Sequence, residues 1–223
     1  MRPQKTQGFS RIASDVGERL SVEGLLARFS TPDACVRGTV FSGLELSDAS
    51  ADGTSFEQVV FRGCTLDNVC LANCTFTDVL FSGCRMTRCD MGRSWLNRCD
   101  FRSCSAPGLS FLRGRLTSVS IEDSQMSYCD LSEATVDRLI ARETGLAEVS
   151  LSATKLRHVT LDQCDLTRMT VLRTSLAGID LSSCDISGLR VSDTFRELRG
   201  AVVSSEQAAQ LAGLLGVQVK QDE

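Results

Sequence analysis

The feature that most constrains this chain is an apolar residue at every fifth position. From Val36 to Val191 this position is Val, Phe, Leu, Met, Ile or Ala in all 32 units, since (191 − 36)/5 + 1 = 32. Neither an α-helix nor a β-strand alone produces a period of five. The pattern therefore predicts a solenoid, in which each unit buries its apolar side by stacking on its neighbours.

A second position, two residues before each of these apolar residues, never carries a charge. Nine of the eleven cysteines occupy it, and only Cys35 and Cys70 fall elsewhere. We interpret the nine as small core residues, because a buried free cysteine behaves as a small apolar side chain. Disulfides between stacked cysteines are the alternative. A metal site is not expected, since the thiols lack a nearby histidine and do not converge tetrahedrally. No cofactor is predicted.

Residue types also recur every twenty positions. Phe41, Phe61, Phe81 and Phe101 are spaced in this way, as are Cys64, Cys84 and Cys104 among others. Twenty residues are four units of five. The sequence thus predicts columns of like side chains, one aromatic and one of thiols, in a coil that repeats every twenty residues.

Several units, including CDMGR, CDFRS, CDLSE, CDLTR and CDISG, resemble the consensus A(D/N)LXX of the pentapeptide-repeat family. The resemblance implies an all-β solenoid, a right-handed quadrilateral β-helix with four pentapeptides per coil. Adjacent coils would then lie ~4.8 Å apart, as paired strands do. On this basis the 32 units would form about eight coils. We expect residues 36–194 to form the β-helix, 1–35 an N-terminal segment and 195–223 a C-terminal capping and dimerisation module.

The N-terminal segment does not keep the period of five. Apolar residues at positions 22, 25, 26 and 29 have helical spacing, which predicts a short helix over residues 22–29. Val40, Val60 and Leu80 form an apolar stripe in a column that is otherwise polar. Such a stripe is usually covered. We expect the helix to dock sideways on it; a helix that caps the end of the rod is the alternative.

The C-terminal module, GAVVSSEQAAQLAGLLGVQV, reads as a short strand followed by a helix. Ser204 and Gln207 have capping-box spacing, and Gly216 is suited to end the helix. This tail is similar to that of the Qnr and MfpA group of pentapeptide-repeat proteins. The resemblance implies tail-to-tail homodimers that bind DNA gyrase or topoisomerase IV, partly by DNA mimicry, and protect it from quinolone- or albicidin-like inhibitors. The expected dimerisation residues are Val202, Ala208, Leu211, Leu214 and Leu215.

Charge along the repeats is banded. Residues 121–165 carry nine acidic and four basic residues, whereas residues 81–120 carry seven basic and two acidic ones. For contact with gyrase we select the acidic residues Glu122, Asp123, Asp130, Glu133, Asp137, Glu143 and Glu148. A solvated face is the alternative. The column that contains Arg102, Glu122, Arg142 and Asp162 alternates in sign and predicts a ladder of ion pairs between coils.

The basic band includes an aromatic residue and offers a second possible contact. Its candidate residues are Trp95, Arg93, Arg98, Arg113 and Arg115. An aromatic residue surrounded by arginines is typical of partner hot spots. A cation–π contact in which Trp95 merely covers Arg115 explains the same pattern. The alternative function is therefore a pentapeptide scaffold that binds another protein or nucleic acid through this band.

Composition limits the remaining classes of function. A formal net charge of −4 is mild, so direct nucleic-acid binding is not expected. No apolar run approaches the ~18 residues that span a bilayer, and the N-terminus lacks the apolar core of a signal peptide. We therefore expect a cytoplasmic protein with no membrane partner. No nucleophile–base pair or phosphate loop is evident, and a filled solenoid offers no pocket, so no enzymatic activity is expected.

Overall fold

Parallel β-strands stacked coil upon coil dominate this chain. The structure is a computed structural model that describes residues 8–13, 16, 20–31 and 33–219. Long strands from successive coils form a seven-stranded parallel sheet, and short strands of the first coils form a three-stranded sheet. The solenoid predicted from the period of five is confirmed.

The elements follow the chain in a regular order. The helix α1 spans Val22–Phe29. The long strands are β1 (Cys35–Ser42), β3 (Ser55–Arg62), β5 (Thr75–Ser82), β7 (Trp95–Arg102), β8 (Arg115–Glu122), β9 (Thr135–Arg142) and β10 (Lys155–Asp162). The short strands are β2 (Glu45–Ser47), β4 (Thr65–Asp67) and β6 (Arg85–Thr87), and a 3-10 turn (Arg196–Leu198) and the helix α2 (Ser205–Leu214) complete the chain.

The register between strands is twenty residues throughout. Val36 pairs with Phe56, Phe56 with Phe76, and Phe76 with Leu96. The seven strands of the large sheet enclose six turns, since 7 − 1 = 6. The estimate of about eight coils was therefore slightly too high. Beyond β10 the units continue through turns and isolated bridges, such as Asp165 with Asp185, rather than as a further long strand.

Corners of the coil depend on left-handed backbone. The second residue after the apolar position has a positive φ in all but two units, for example Gly63 at 57°, Asn68 at 54° and Asn73 at 55°; Ser183 and Asp193 are the exceptions. This conformation costs most residues roughly 1–2 kcal/mol but costs glycine little. Many corners carry Arg, Glu or Asp instead of glycine. The favourable interactions between stacked coils must therefore outweigh the conformational cost at these residues. These corners were not predicted from the sequence, although glycine at 38, 43, 53, 63 and 83 marks them.

The predicted aromatic column is present in the core. The ring centroids of Phe61 and Phe81 are 5.0 Å apart, and those of Phe81 and Phe101 are 4.8 Å apart, with the rings nearly parallel. Phe56 and Phe76 form a second stack at 5.0 Å. All five rings lie in the buried core. One twenty-residue spacing thus fixes both the register of the strands and the packing of the rings.

Cysteines at the inward position are buried, as predicted. The nine cysteines at the inward position are buried, Cys70 is half-buried and Cys35 is exposed; all eleven thiols are free. Several thiols donate to carbonyl groups of the preceding coil, as Cys74 does to Ala51 at 3.0 Å. Burial raises the pKa of the Cys99 and Cys129 thiols to about 12. These thiols are therefore protonated and inaccessible at neutral pH.

Thiol titration tests this arrangement. In the native protein at pH 8, an aromatic disulfide reagent is expected to react quickly with no more than the two thiols that are not buried, Cys35 and Cys70. In denaturant all eleven should react. Buried neutral thiols are poor nucleophiles. A third fast thiol in the native protein would contradict the burial, and fewer than eleven in denaturant would indicate disulfides.

The solenoid is less tightly filled near β10. An apolar cavity of about 40 Å³ lies between the coils there, lined by residues that include Leu139, Leu156, Val159, Leu166 and Ile179. Leu156 and Val159 point inward but are only half-buried, because no further long strand pairs with β10. The expectation of a filled solenoid without a cavity was wrong, although the cavity has no polar lining.

Helices occupy both ends of the solenoid. The helix α1 has the predicted bounds, and the side chain of Leu25 in this helix is buried. The predicted capping box of α2 is present at Ser204 and Gln207. The Gln207 amide also donates to the carbonyls of Leu181 (2.9 Å) and Cys184 (2.7 Å), which ties the helix to the last coil. The strand predicted before α2 is reduced to a single bridge between Asp180 and Val202.

Candidate functional surfaces

Most of the acidic residues selected from the sequence are ion-paired. Glu122 lies 3.8 Å from Arg142, Glu133 lies 2.9 Å from Arg113, Asp137 lies 2.7 Å from His158, and Glu148 lies 2.7 Å from Arg168. Each of these pairs joins adjacent coils. The hydrogen bond from Arg113 holds the pKa of Glu133 below its ordinary value. These four carboxylates therefore stabilise the stacking of coils and contribute less free negative charge than the sequence implies.

Three acidic residues of the set have no ion pair among the described residues. Asp130 accepts a hydrogen bond from the backbone N–H of Ser132 at 2.9 Å, which stabilises the local turn. Asp123 and Glu143 are exposed corner residues with φ of 49° and 48°. They are twenty residues apart and so lie one above the other on adjacent coils. These two residues, here called the acidic corner, are the exposed members of the selected set that have no ion pair among the described residues.

The sign-alternating column forms only part of the predicted ladder. Arg142 lies 3.8 Å from Glu122 and 4.0 Å from Asp162. Arg102, however, is paired with Asp100 of its own strand at 3.1 Å instead of with Glu122. Such partly exposed pairs contribute about 0–1 kcal/mol each. The ladder therefore contributes a little to the stability of the stacked coils but does not by itself hold them together.

The basic band divides into paired and free groups. Arg98 is bound to Asp78 and Arg113 to Glu133, so that both guanidinium groups are engaged within the chain. The Arg115 guanidinium carbon lies 5.8 Å from the centre of the Trp95 ring, which confirms the cation–π contact. Trp95 is 46% exposed, and Arg93 is exposed at a corner with φ of 57°. Trp95, Arg93 and Arg115 therefore remain as a surface contact.

One side of α2 is exposed and apolar. Leu211 packs partly against the core, while Leu214 and Leu215 are 44% and 62% exposed. Val202 is also exposed, and Ala208 faces solvent. The expected dimerisation residues thus do not share one environment, since Leu211 helps to hold the helix on the last coil. Leu214 and Leu215 are the expected dimerisation leucines that remain available to a partner.

Residues 8–13, here called the arm, lie along the side of the solenoid. The backbone N–H groups of Phe9 and Ser10 donate to the Asp100 carboxylate at 2.8 and 3.2 Å, and the Ser10 hydroxyl donates at 2.6 Å. A side chain on Gly8 would place its Cβ 2.2 Å from an Asp100 oxygen. The arm can therefore approach this closely only with glycine at that position.

Two further coils bind the arm in the same way. The backbone N–H of Arg11 donates to Asp78 at 3.0 Å. Gln58 accepts from the N–H of Ala13 at 2.9 Å and donates to the carbonyl of Arg11 at 2.7 Å. Side chains from three successive coils thus replace the backbone partners that a paired strand would supply. The arm is extended and runs towards the N-terminal end of the rod.

The carboxylates that bind the arm are themselves fixed by neighbours. Asp100 is fully buried and accepts from the Ser120 hydroxyl at 2.7 Å and from Arg102 at 3.1 Å. Arg98 holds Asp78 through two hydrogen bonds of 2.8 and 2.6 Å. Burial raises the pKa of Asp78, but hydrogen bonds from Arg98 and the arm outweigh it, so the pKa lies below its ordinary value. Asp78 is therefore ionised at neutral pH.

Placement of the arm corrects the expectation for the apolar stripe. Asp100 continues the column of Val40, Val60 and Leu80, and Val60 is only 4% exposed. The described segment beside this column is the arm, whereas α1 lies against β1, with the Phe29 ring 6.2 Å from that of Phe56. The helix therefore packs at the end of the solenoid. No sequence period marked Gln58, Asp78 or Asp100 as arm contacts.

Features suited to catalysis or metal binding are scarce in the described part of the chain. An open depression of about 450 Å³ beside the C-terminal cap is lined by Arg173, Arg196 and Glu197 with neighbouring hydroxyls. Glu197 is already satisfied by the Arg173 N–H at 2.9 Å and by Ser192 at 2.8 Å. Across residues 8–13, 16, 20–31 and 33–219 no cluster of metal-ligating side chains occurs. None of the described helices is long and apolar enough to cross a membrane.

The chain matches the solved structures of two other proteins. A trypsin-treated form of QnrB1, described as a plasmid-mediated fluoroquinolone resistance protein, shares 17% identity and a TM-score of 0.38, covering 81% of this chain and all of the other. HetL, a pentapeptide repeat protein involved in heterocyst differentiation regulation from the cyanobacterium Nostoc sp. strain PCC 7120, shares 16% identity with a TM-score of 0.32, covering 83% and 98%. At these scores neither superposition supports an argument about function.

Sequence comparison identifies a repeat region in the middle of the chain. No curated protein matches this chain. The family profile described as a pentapeptide repeat region matches residues 54–131. Coils of twenty residues continue beyond both ends of that match, from β1 to β10. The profile match and the coil geometry together show a pentapeptide repeat region over residues 54–131, in register with the coils on both sides of it.

Proposed function

We propose that this chain is a non-enzymatic binding protein that docks as a homodimer on a bacterial type II topoisomerase, DNA gyrase or topoisomerase IV, and protects it from quinolone- or albicidin-like inhibitors. The observation that carries the proposal is the C-terminal module, in which an apolar helix end is left exposed on a capped pentapeptide solenoid.

The module supports dimerisation for an energetic reason. The cap is already fixed to the last coil by Gln207 and Leu211, so Leu214 and Leu215 are not needed to close the solenoid. An isologous two-fold contact would bury both leucines on each subunit at once. Burial of an exposed leucine contributes about 1.5–3 kcal/mol. A two-fold rod would also match the symmetry of a two-fold enzyme.

Mimicry of DNA in this proposal is partial. Duplex DNA carries one negative charge per ~1.7 Å, a density that the rod as a whole does not approach, because residues 36–194 carry 20 acidic and 16 basic residues. Of the seven selected acidic residues, the acidic corner formed by Asp123 and Glu143 is both exposed and without an ion pair among the described residues, which makes it available to a DNA-binding surface. We therefore propose that a few corner carboxylates, rather than a uniformly charged rod, contact the basic DNA path of the enzyme.

A supercoiling assay tests the proposal. Purified gyrase inhibited by a quinolone is expected to regain supercoiling activity when this protein is added, or to lose activity if the protein blocks the DNA path. The double variant Asp123→Asn/Glu143→Gln should weaken either effect, because it removes both charges of the acidic corner. The matched control is Glu133→Gln, whose carboxylate is engaged by Arg113. No effect of the wild-type protein on gyrase or topoisomerase IV would refute the proposal.

A second candidate function is supported by the exposed aromatic residue in the basic band. Trp95 is 46% exposed beside the free Arg93, and such a pair suits a partner unrelated to gyrase. If Trp95→Ala/Arg93→Ala abolishes binding to gyrase while the acidic-corner variant does not, the band is the contact. If the protein binds neither gyrase nor topoisomerase IV, we propose instead that it is a scaffold that binds another partner through this band.

A further inference from the structure

The contact between the arm and the solenoid is recognition of a peptide backbone by side chains. Four backbone N–H groups of the arm, those of Phe9, Ser10, Arg11 and Ala13, donate to side chains of the rod. None of these bonds belongs to a β-ladder. Their partners lie 45 to 91 residues away in sequence. The contact therefore resembles a bound extended ligand more than a further turn of the solenoid.

The binding surface is preorganised. We call the residues Gln58, Asp78, Asp100 and Ser120 the arm groove. Asp78 is fixed by Arg98, and Asp100 is fixed by Ser120 and by Arg102, so these carboxylates hold their positions through bonds within the rod. A rigid site loses little conformational entropy when a peptide binds.

The groove also discriminates between side chains. Gly8 lies where a Cβ would meet the Asp100 carboxylate at 2.2 Å, so larger residues are excluded at that position. The Ser10 hydroxyl donates to the same carboxylate at 2.6 Å, and a hydrogen bond to a charged group is among the stronger ones. The site is therefore suited to an extended segment with glycine followed, two residues later, by serine.

We propose that the arm groove is a peptide-binding site and that the arm is its built-in, displaceable ligand. While the arm is docked, it covers Asp78 and Asp100 at the middle of the rod. Release of the arm would expose these two carboxylates on one side of the solenoid, beside Arg98 and Arg102, which are already partly exposed. The arm is thus an autoinhibitory cover for the groove, and an identical peptide supplied by another molecule competes with it. The inference is independent of the proposed binding to topoisomerases.

A nicked full-length chain provides the test. A recognition sequence for a site-specific protease is inserted after Asp15, so that cleavage leaves the arm held only by non-covalent contacts. A fluorescent synthetic peptide of residues 2–13 is then titrated, and fluorescence anisotropy measures its binding. We expect saturable binding to the cut protein and binding at least about tenfold weaker to the uncut protein, because a tethered arm has a high effective concentration.

Variants of the peptide distinguish specific binding from nonspecific binding without a change in the protein. Gly8→Val and Ser10→Ala peptides are each expected to bind at least about tenfold more weakly, since one introduces a clash and the other removes a charge-assisted hydrogen bond. In the protein, Asp100→Asn should weaken binding of the wild-type peptide. The matched control is Glu143→Gln, an exposed carboxylate outside the groove.

Three results would overturn the proposal. They are the absence of saturable binding to the cut protein, equal binding of the wild-type and Gly8→Val peptides, and unfolding of the solenoid on cleavage as seen by circular dichroism. The first two would show that the groove does not recognise the peptide. The third would show that the arm is a permanent part of the fold.

Discussion

Replacement of Phe81 by alanine is expected to lower the free energy of unfolding by about 3–5 kcal/mol. Phe81 is fully buried and is stacked between Phe61 at 5.0 Å and Phe101 at 4.8 Å, with Phe76 at its edge. Its removal breaks two stacks and leaves a cavity that rigid coils on both sides cannot fill. Urea denaturation followed by circular dichroism measures the loss.

The control for this substitution is Leu172→Ala. Leu172 is 39% exposed on a later coil, and its replacement should change stability by less than about 0.5 kcal/mol. Because solenoid stability is a sum over neighbouring units, hydrogen exchange of the Phe81 variant should increase most in β3, β5 and β7. A loss below about 1 kcal/mol would contradict the view that the aromatic column is a main source of stability.

Substitution of both Leu214 and Leu215 by aspartate is expected to convert a dimer into a folded monomer. The two side chains are exposed at the end of α2 and take no part in closing the last coil. Two charges on each side of an isologous contact would face each other and abolish it. Sedimentation equilibrium should give the mass of one 24.2 kDa chain for the variant and twice that mass for the wild type. Affinity for gyrase should fall in parallel.

The matched control places the same charges elsewhere on the rod. Leu112 and Leu172 are 37% and 39% exposed, and their double substitution by aspartate should leave the dimer intact. Leu211 is left unchanged in the test, because it packs against the core and its substitution would disturb the cap. A Leu214/Leu215 variant that remains dimeric would exclude this interface. A monomer with full affinity for gyrase would exclude symmetric docking.

The parts of the structure that were predicted correctly are either periodic or local in sequence. The period of five identified the inward positions, so the buried cysteines and the stacking of Phe61 on Phe81 followed directly. The helix over residues 22–29 and the capping box at Ser204 were predictable because both depend on residues within one or two turns. Local and periodic interactions can be predicted from the sequence without knowledge of the tertiary structure.

Predictions failed where the repeat ends or where a charged side chain has more than one possible ion-pair partner. The period continues through residue 191, but the long strands stop at β10, so the number of coils was overestimated. Arg102 had two acidic neighbours within reach and is paired with Asp100 rather than Glu122. Differences of this kind depend on side-chain rotamers and desolvation, which spacing in sequence does not encode.

The sequence by itself determined the architecture of this protein, because an uninterrupted period of five leaves each unit with one way to bury its apolar residues. The tertiary structure alone decided which charges are free and what covers the side of the rod. Asp78 and Asp100 become binding groups only because coils twenty residues apart stack and the arm returns to them. Those contacts join residues 67 to 91 positions apart, and a single non-repeating segment leaves no pattern from which they could be predicted.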